Sequence, residues 1–132
     1  MTRVSTPAPN GASTLTTKDD ADILAAWQRL AANRVAAAEL DHEAAGYDEE
    51  EERLWSAIDK DEGLITKAVA TTLTGAEIQL WCILSHDCAR EDDELAVFRR
   101  DIEHFANNGR FDLPSLIALQ AIRSLRAMGG EA

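Results

Sequence analysis

The sequence has no long hydrophobic run and few basic residues, and these two absences exclude several classes of protein. Its apolar runs are no longer than Leu80–Leu84, whereas a membrane helix needs about 20 such residues. No apolar segment follows Arg3, so we expect no secretory signal and a cytoplasmic location. The 13 Lys and Arg residues face 24 Asp and Glu residues, which gives a formal charge of -11. That charge disfavours direct binding to nucleic acid or to an anionic membrane.

Cysteine is scarce, and the motifs of the commoner enzyme classes are missing. Cys82 and Cys88 are six positions apart in a predicted helix, which places them about 9 Å apart, beyond the roughly 7 Å limit for a disulfide. We expect reduced thiols packed as small apolar groups. The sequence contains no Gly-rich phosphate loop, no G-x-S-x-G nucleophile elbow and no CxxC pair, which are signatures of nucleotide-binding, hydrolytic and redox sites. We predict a non-enzymatic protein with no cofactor and no metal.

The apolar residues, 45% of the chain, suffice for one hydrophobic core. Residues 1–17 contain almost no large apolar side chain and combine Pro7, Pro9 and Gly11 with serine and threonine. Such a segment cannot recover the entropy lost on ordering. We therefore predict a disordered N-terminal arm over residues 1–17 and a single helical domain over residues 18–130.

Apolar residues at helical spacing, together with caps and glycine stops, predict five helices in this domain. They run from Thr17 to about Ala45, from Asp48 to about Thr66, from Thr72 or Thr74 to about Arg90, from Asp92 or Asp93 to about Asn107, and from Asp112 to Met128. Gly63 weakens the second helix, so an end near Asp61 is the alternative to the predicted continuation past this glycine. No segment has a partner for sheet formation, so the apolar stripes can be buried only against one another. The predicted fold class is an all-α helical bundle.

The predicted helices carry local details that a structure can test. Asp48 and Glu51 have the spacing of a capping box, and Thr74 and Glu77 have the same spacing at the third helix. The first helix has one apolar stripe, formed by Leu24, Trp27, Ala31, Val35 and Ala38. The second is predicted to turn three side chains inward, Leu54, Trp55 and Ile58. The fourth has the clearest stripe, formed by Leu95, Phe98, Ile102 and Phe105.

The stretch Leu54–Leu84 resembles a group of small helical proteins of bacterial genomes and prophages to which no function is assigned. Asp20–Trp27 (DADILAAW) is similar to their opening helix, and Val69–Gly75 (VATTLTG) is similar to their PATTLAG connector, with valine where the group has proline. The resemblance covers roughly residues 20–126. It implies an all-helical fold and a mobile-element origin, and it brings no catalytic or binding residues.

The most unusual feature is an acidic block between Glu39 and Glu62 that contains only two basic residues, Arg53 and Lys60. Its acidic members are Glu39, Asp41, Glu43, Asp48, Glu49, Glu50, Glu51, Glu52, Asp59, Asp61 and Glu62. Helix-borne carboxylates can attract a basic protein, including one that normally holds nucleic acid. We therefore predict a protein-interaction or regulatory function, with Asp48, Glu49, Glu50 and Glu52 as partner-binding residues. The alternative is a solvated helix start that only improves solubility.

Two further hypotheses stay open at the level of sequence. Cys82 and His86, with Asp87 beside them, share a helix face and can supply part of a metal or catalytic site. Buried thiols and a partly exposed histidine explain the same residues without a site. Asp101 and His104, with Glu103, offer a possible acid/base pair, for which a solvated helix face is the alternative. In the third hypothesis the chain is a homo-oligomeric bundle that associates through the Phe98 and Phe105 stripe or through the alanine-rich first helix.

Overall fold

The computed structural model describes residues 19–107 and 110–129, which form five α-helices, one 3-10 helix and no strand. In chain order the elements are α1 (Ala21–Ala38), α2 (Tyr47–Lys67), α3 (Leu73–Ser85), α4 (Glu91–Phe98), the 3-10 helix (Ile102–Phe105) and α5 (Leu113–Met128). The predicted all-α fold is confirmed for this part of the chain. None of its helices combines the length and the apolar composition needed to cross a bilayer. The predicted arm over residues 1–17 lies outside the described residues.

The described residues fall into two compact units, the first ending at Thr71 and the second beginning at Thr72. In the first unit α1 and α2 pack against each other. The buried apolar side chains of this unit are Ile23, Ala26, Trp27, Leu30, Leu54, Ile58 and Ile65. Burial of one large aliphatic or aromatic side chain contributes about 1.5–3 kcal/mol. These two apolar stripes therefore hold the helical hairpin together.

Helix α1 is shorter than predicted, and its stripe is rotated relative to the expected one. Val35 and Ala38, expected in the stripe, are exposed, and Ile23 is buried instead. The helix ends at Ala38 rather than near Ala45. The carboxylate of Asp41 accepts a hydrogen bond from the Glu43 amide at 3.0 Å. Such a local turn competes with helical hydrogen bonding and ends the helix early.

The N-terminus of α1 is fixed by Asp20, which is its N-cap residue. Asp20 has a left-handed backbone (φ 61°) and a fully buried side chain. Its carboxylate accepts hydrogen bonds at 3.0 Å from both the amide and the hydroxyl of Thr71. The two ends of the described part of the first unit are therefore joined directly.

Helix α2 begins without the predicted capping box. Its N-cap is Gly46, with φ 82° and no side chain to accept a bond. Glu51 instead accepts a hydrogen bond from the Tyr47 hydroxyl at 2.9 Å. The helix continues through Gly63 to Lys67, which confirms the predicted continuation past this glycine.

In the second unit α3 packs against α4 and α5. Phe105 of the 3-10 helix is buried, with ring centroids 6.2 Å from Trp81 and 5.1 Å from Phe111. Thr72 is the N-cap of α3 and accepts a bond from the Gly75 amide at 3.0 Å. The Thr74 alternative is therefore wrong, and its supposed capping-box partner Glu77 has another role.

The predicted fourth helix is broken at Arg100. The Arg100 amide donates to the Val97 carbonyl and the Asp101 amide to the Ala96 carbonyl, both at 2.9 Å. Arg100 has φ 54°, so the two bonds form a helix-ending Schellman motif with arginine where glycine is usual. The chain restarts as the 3-10 helix at Ile102.

Glu77 connects three segments of the second unit through a buried carboxylate. It accepts hydrogen bonds from the Trp81 indole at 2.8 Å and from Arg126 at 2.8 and 3.1 Å, and it lies 3.5 Å from an Arg100 nitrogen. Arg126 also donates to the Arg100 carbonyl at 2.9 Å, which holds the left-handed residue in place. Burial alone would raise the pKa of Glu77, but bonds from Arg126 and Trp81 outweigh it and lower that pKa.

We predict that Glu77→Gln destabilises the protein by about 3 kcal/mol at neutral pH, because breaking a buried charge pair leaves Arg126 uncompensated. The folded pKa of Glu77 lies below its ordinary value of 4.5. The contribution of the ionised Glu77 carboxylate to the free energy of unfolding is therefore full above pH 4.5. It is lost as the pH falls from 4.5 through the lower pKa of the folded state. Urea unfolding at several pH values should show the variant and the wild type converging in acid. The exposed Glu103→Gln is the matched control, and a Glu77→Gln protein as stable as this control at pH 7 would contradict the assignment.

Candidate functional site

The exposed side of α2 carries four carboxylates, which we name the acidic face: Asp48, Glu49, Glu52 and Asp59. Asp48, Glu52 and Asp59 are separated by four and seven positions, so they share one side of the helix. Within residues 19–107 and 110–129 no ion pair engages any residue of the acidic face. The face therefore presents negative charge that the described part of the chain does not neutralise by direct pairing.

Glu50 differs from the other three predicted partner-binding residues. It is half-buried and accepts a hydrogen bond from the Arg53 guanidinium at 3.0 Å. This bond lowers the pKa of Glu50 below the ordinary glutamate value. The structure thus places Asp48, Glu49 and Glu52 on the exposed surface and engages Glu50 with a cation one turn along the same helix.

Asp61 belongs to the acidic block by sequence but to the interior by position. It is 4% exposed, and the Arg29 guanidinium of α1 donates to its Oδ1 at 2.8 and 3.2 Å. The hydrogen bond to Asp61 raises the pKa of Arg29 above its ordinary value. Asp61 follows Leu54 and Ile58 at helical spacing, so it occupies the core stripe of α2 and stabilises the hairpin.

Trp55 is the residue of this region whose position was wrongly predicted. It is 41% exposed, whereas Leu54 and Ile58 are buried. One residue corresponds to a rotation of about 100° around a helix, which moves Trp55 off the core stripe. The Arg34 guanidinium lies over its ring, 5.4 Å from the centroid. The spacing of Leu54, Ile58, Asp61 and Ile65 defines the buried side of α2 and would have excluded Trp55.

The cysteine and histidine residues of the third predicted helix belong to the second unit. Cys82 is buried and His86 is exposed, and α3 ends at Ser85, so Cys88 lies outside the helix. Asp87 accepts a hydrogen bond from the Asp112 amide at 3.2 Å. Within the described residues of the second unit, no third His, Cys, Asp or Glu joins Cys82 and His86. This unit alone supplies only two of the three or four ligands that a zinc site requires.

His104 pairs with Asp93 rather than with the Asp101 side chain. Its Nε2 lies 2.8 Å from an Asp93 carboxylate oxygen, and Asp92, which pairs with Arg90 at 3.2 Å, adds a third potential ligand within 4.8 Å. A divalent cation here would have to displace both existing contacts. The His104–Asp93 bond instead accounts for the geometry, because it ties the 3-10 helix to the start of α4.

The aromatic stripe proposed for self-association is largely internal. Phe105 is 1% exposed and Phe98 is half-buried. Phe105 is therefore not available to a second copy of the chain. Association through the alanine-rich α1 stays a prediction.

We predict that Asp61→Asn and neutralisation of the acidic face have different effects on stability. Asp61→Asn should cost about 1–3 kcal/mol, because a buried acceptor of Arg29 loses its charge. The triple variant Asp48→Asn, Glu49→Gln, Glu52→Gln should stay within about 1 kcal/mol of wild type, since lost helix-dipole stabilisation is offset by reduced mutual repulsion. Urea unfolding followed by circular dichroism measures both. Equal destabilisation by Asp61→Asn and by the triple variant would contradict the division of the acidic block into a buried Asp61 and an exposed acidic face.

Comparison of the chain with protein-family models, with curated proteins and with solved structures gave no match. The resemblance to bacterial and prophage proteins therefore stays a prediction from the sequence.

Proposed function

We propose that this is a non-enzymatic interaction protein that binds a basic protein through the acidic face of α2. The observation that carries the proposal is the exposure of Asp48, Glu49 and Glu52 on one helix without an ion pair among the described residues. Buried acids in the same unit have hydrogen-bond donors, so the exposed ones are not needed to hold the hairpin together. A surface of this kind attracts cations and accelerates encounter with a basic partner.

The partner is proposed to be a protein rather than a nucleic acid or a membrane. The net charge of -11 repels phosphate groups and anionic lipids. A nucleic-acid-binding protein fits the same chemistry, because its basic surface is made to hold phosphates and can accept carboxylates in their place. By occupying that surface, the chain would act as a regulator or inhibitor.

We also propose a cytoplasmic location, from the missing secretory signal, and a mobile-element origin, from the resemblance of Asp20–Trp27 and Val69–Gly75 to bacterial and prophage proteins. The hypotheses of a metal or catalytic site at Cys82 and His86 and of a homo-oligomeric bundle are the alternatives. Metal analysis of the purified protein and light scattering test them directly.

We expect the protein to bind a lysine-rich helical peptide. The affinity should fall about tenfold or more when NaCl is raised from 50 to 300 mM. The triple variant Asp48→Asn, Glu49→Gln, Glu52→Gln should bind about tenfold more weakly at 50 mM NaCl and depend less on salt. Isothermal titration calorimetry over this salt range measures both effects.

The matched control removes the same charge elsewhere, through Glu91→Gln, Asp101→Asn and Glu103→Gln, all at exposed positions of the second unit. This control should bind within about twofold of wild type. If both triple variants lose the same affinity, binding depends on net charge and not on the acidic face. If the affinity of the wild-type protein does not change with salt concentration, the acidic face takes no part in binding.

A further inference from the structure

We propose that Trp55 anchors an arginine side chain of the basic partner, with Glu52 and Asp59 holding the guanidinium beside the indole ring. This inference rests on the proposed function and deepens it, because it names the group that the acidic face recognises. It also assigns different tasks to the carboxylates and to the aromatic ring.

The first supporting observation is the exposure of Trp55 itself. The other two tryptophans, Trp27 and Trp81, are 4% and 0% exposed, whereas Trp55 is 41% exposed on the surface of α2. An indole that is 41% exposed forgoes part of the stabilisation that full burial provides. Tryptophan is also among the residues that most often dominate the energy of protein interfaces. Within the first unit the Trp55 ring is only partly covered, with Arg34 against it, and 41% of the residue stays exposed.

The second observation is the placement of charge around the ring. Glu52 precedes Trp55 by three positions and Asp59 follows it by four, and these are the two spacings that bring side chains together on a helix. Both carboxylates are exposed. A cation that approaches the indole therefore meets an acid on each side along the helix.

The third observation is that a guanidinium already lies against this ring. Arg34 of α1 is placed with its central carbon 5.4 Å from the ring centroid, within the range of a cation–π contact. The two faces of an indole carry the same negative quadrupole. A partner's arginine can therefore stack on the exposed part of the ring or take the place of Arg34.

Arginine fits this surface better than lysine does. Its planar guanidinium stacks on aromatic rings and can pair with a carboxylate through two parallel hydrogen bonds, while the lysine ammonium is a compact and strongly hydrated charge. The carboxylates of the acidic face would speed the encounter, and the stacked arginine would slow dissociation.

The experiment uses two helical peptides of identical length that differ only in having arginine or lysine at every basic position. Calorimetry at fixed salt compares wild type, Trp55→Phe and Trp55→Ala, with the exposed Ile117→Ala of α5 as the control. We expect Trp55→Ala to weaken binding of the arginine peptide about tenfold and of the lysine peptide about threefold or less. Trp55→Phe should retain most of the affinity, Ile117→Ala all of it, and the salt dependence should be unchanged in each variant.

A nuclear magnetic resonance titration provides an independent readout with the wild-type side chain in place. The indole N–H signal absent from Trp55→Phe identifies Trp55, and it should shift on addition of the arginine peptide while the signals of Trp27 and Trp81 do not. A Trp55 signal that stays fixed at saturation would overturn the inference, even if Trp55→Ala were to fold poorly.

The results separate the two proposals. If Trp55→Ala binds as wild type does while the acidic-face triple variant loses affinity, the anchor is wrong and the proposed function stands. If the triple variant also binds normally, the proposed function itself fails. Equal losses for the arginine and lysine peptides in Trp55→Ala would contradict the preference for arginine.

Discussion

An ionised carboxylate can be buried only if hydrogen-bond donors or cations replace the water it loses, since the effective penalty is several kcal/mol for each ion. Among residues 19–107 and 110–129 three acidic side chains are buried: Asp20, Asp61 and Glu77. Each has such donors, from the Thr71 amide and hydroxyl, from Arg29, and from Trp81 and Arg126. This requirement determines which acidic side chains can be buried in the folded protein.

The same requirement links segments that are far apart in sequence. Asp20 and Thr71 close the ends of the first unit, Arg29 and Asp61 join its two helices, and Glu77 and Arg126 join α3 to α5 in the second. Acidic side chains that make no such contact can lie outside the core without loss of stability. In α2 they collect on one exposed side together with Trp55. The surface proposed to bind a basic partner thus consists of acidic side chains that the packing of the core does not require.

The existence of the helices could be predicted from apolar spacing, because each helix must bury one stripe. Their ends could not be predicted where a single side chain or backbone angle decides them. The Asp41 turn shortens α1, and the left-handed Arg100 divides the predicted fourth helix although arginine rarely adopts that conformation. The capping boxes at Asp48 and Thr74 were wrong because Gly46 and Thr72 are the N-caps.

The exposed carboxylates of the candidate site could be found from charge density alone, since Asp48, Glu49 and Glu52 lie within a few residues of one another. The buried acids could not be separated from them, because Arg29 lies 32 positions from Asp61 in sequence. Trp55 was missed for a related reason: a tryptophan is expected inside, and only the rotation of the α2 core stripe shows that it lies outside.

The central claim, that the acids divide into a buried set that the fold uses and an exposed set on α2, is tested most directly by carboxylate labelling. The folded protein would be treated with a carbodiimide and an amine, and mass spectrometry would follow modification at each residue. We predict rapid labelling of Asp48, Glu49 and Glu52 and labelling at least about tenfold slower at Asp20, Asp61 and Glu77, since buried groups react only when the structure opens. Denaturation should abolish the difference. Comparable rates at Asp61 and Asp48 in the folded protein would contradict the account.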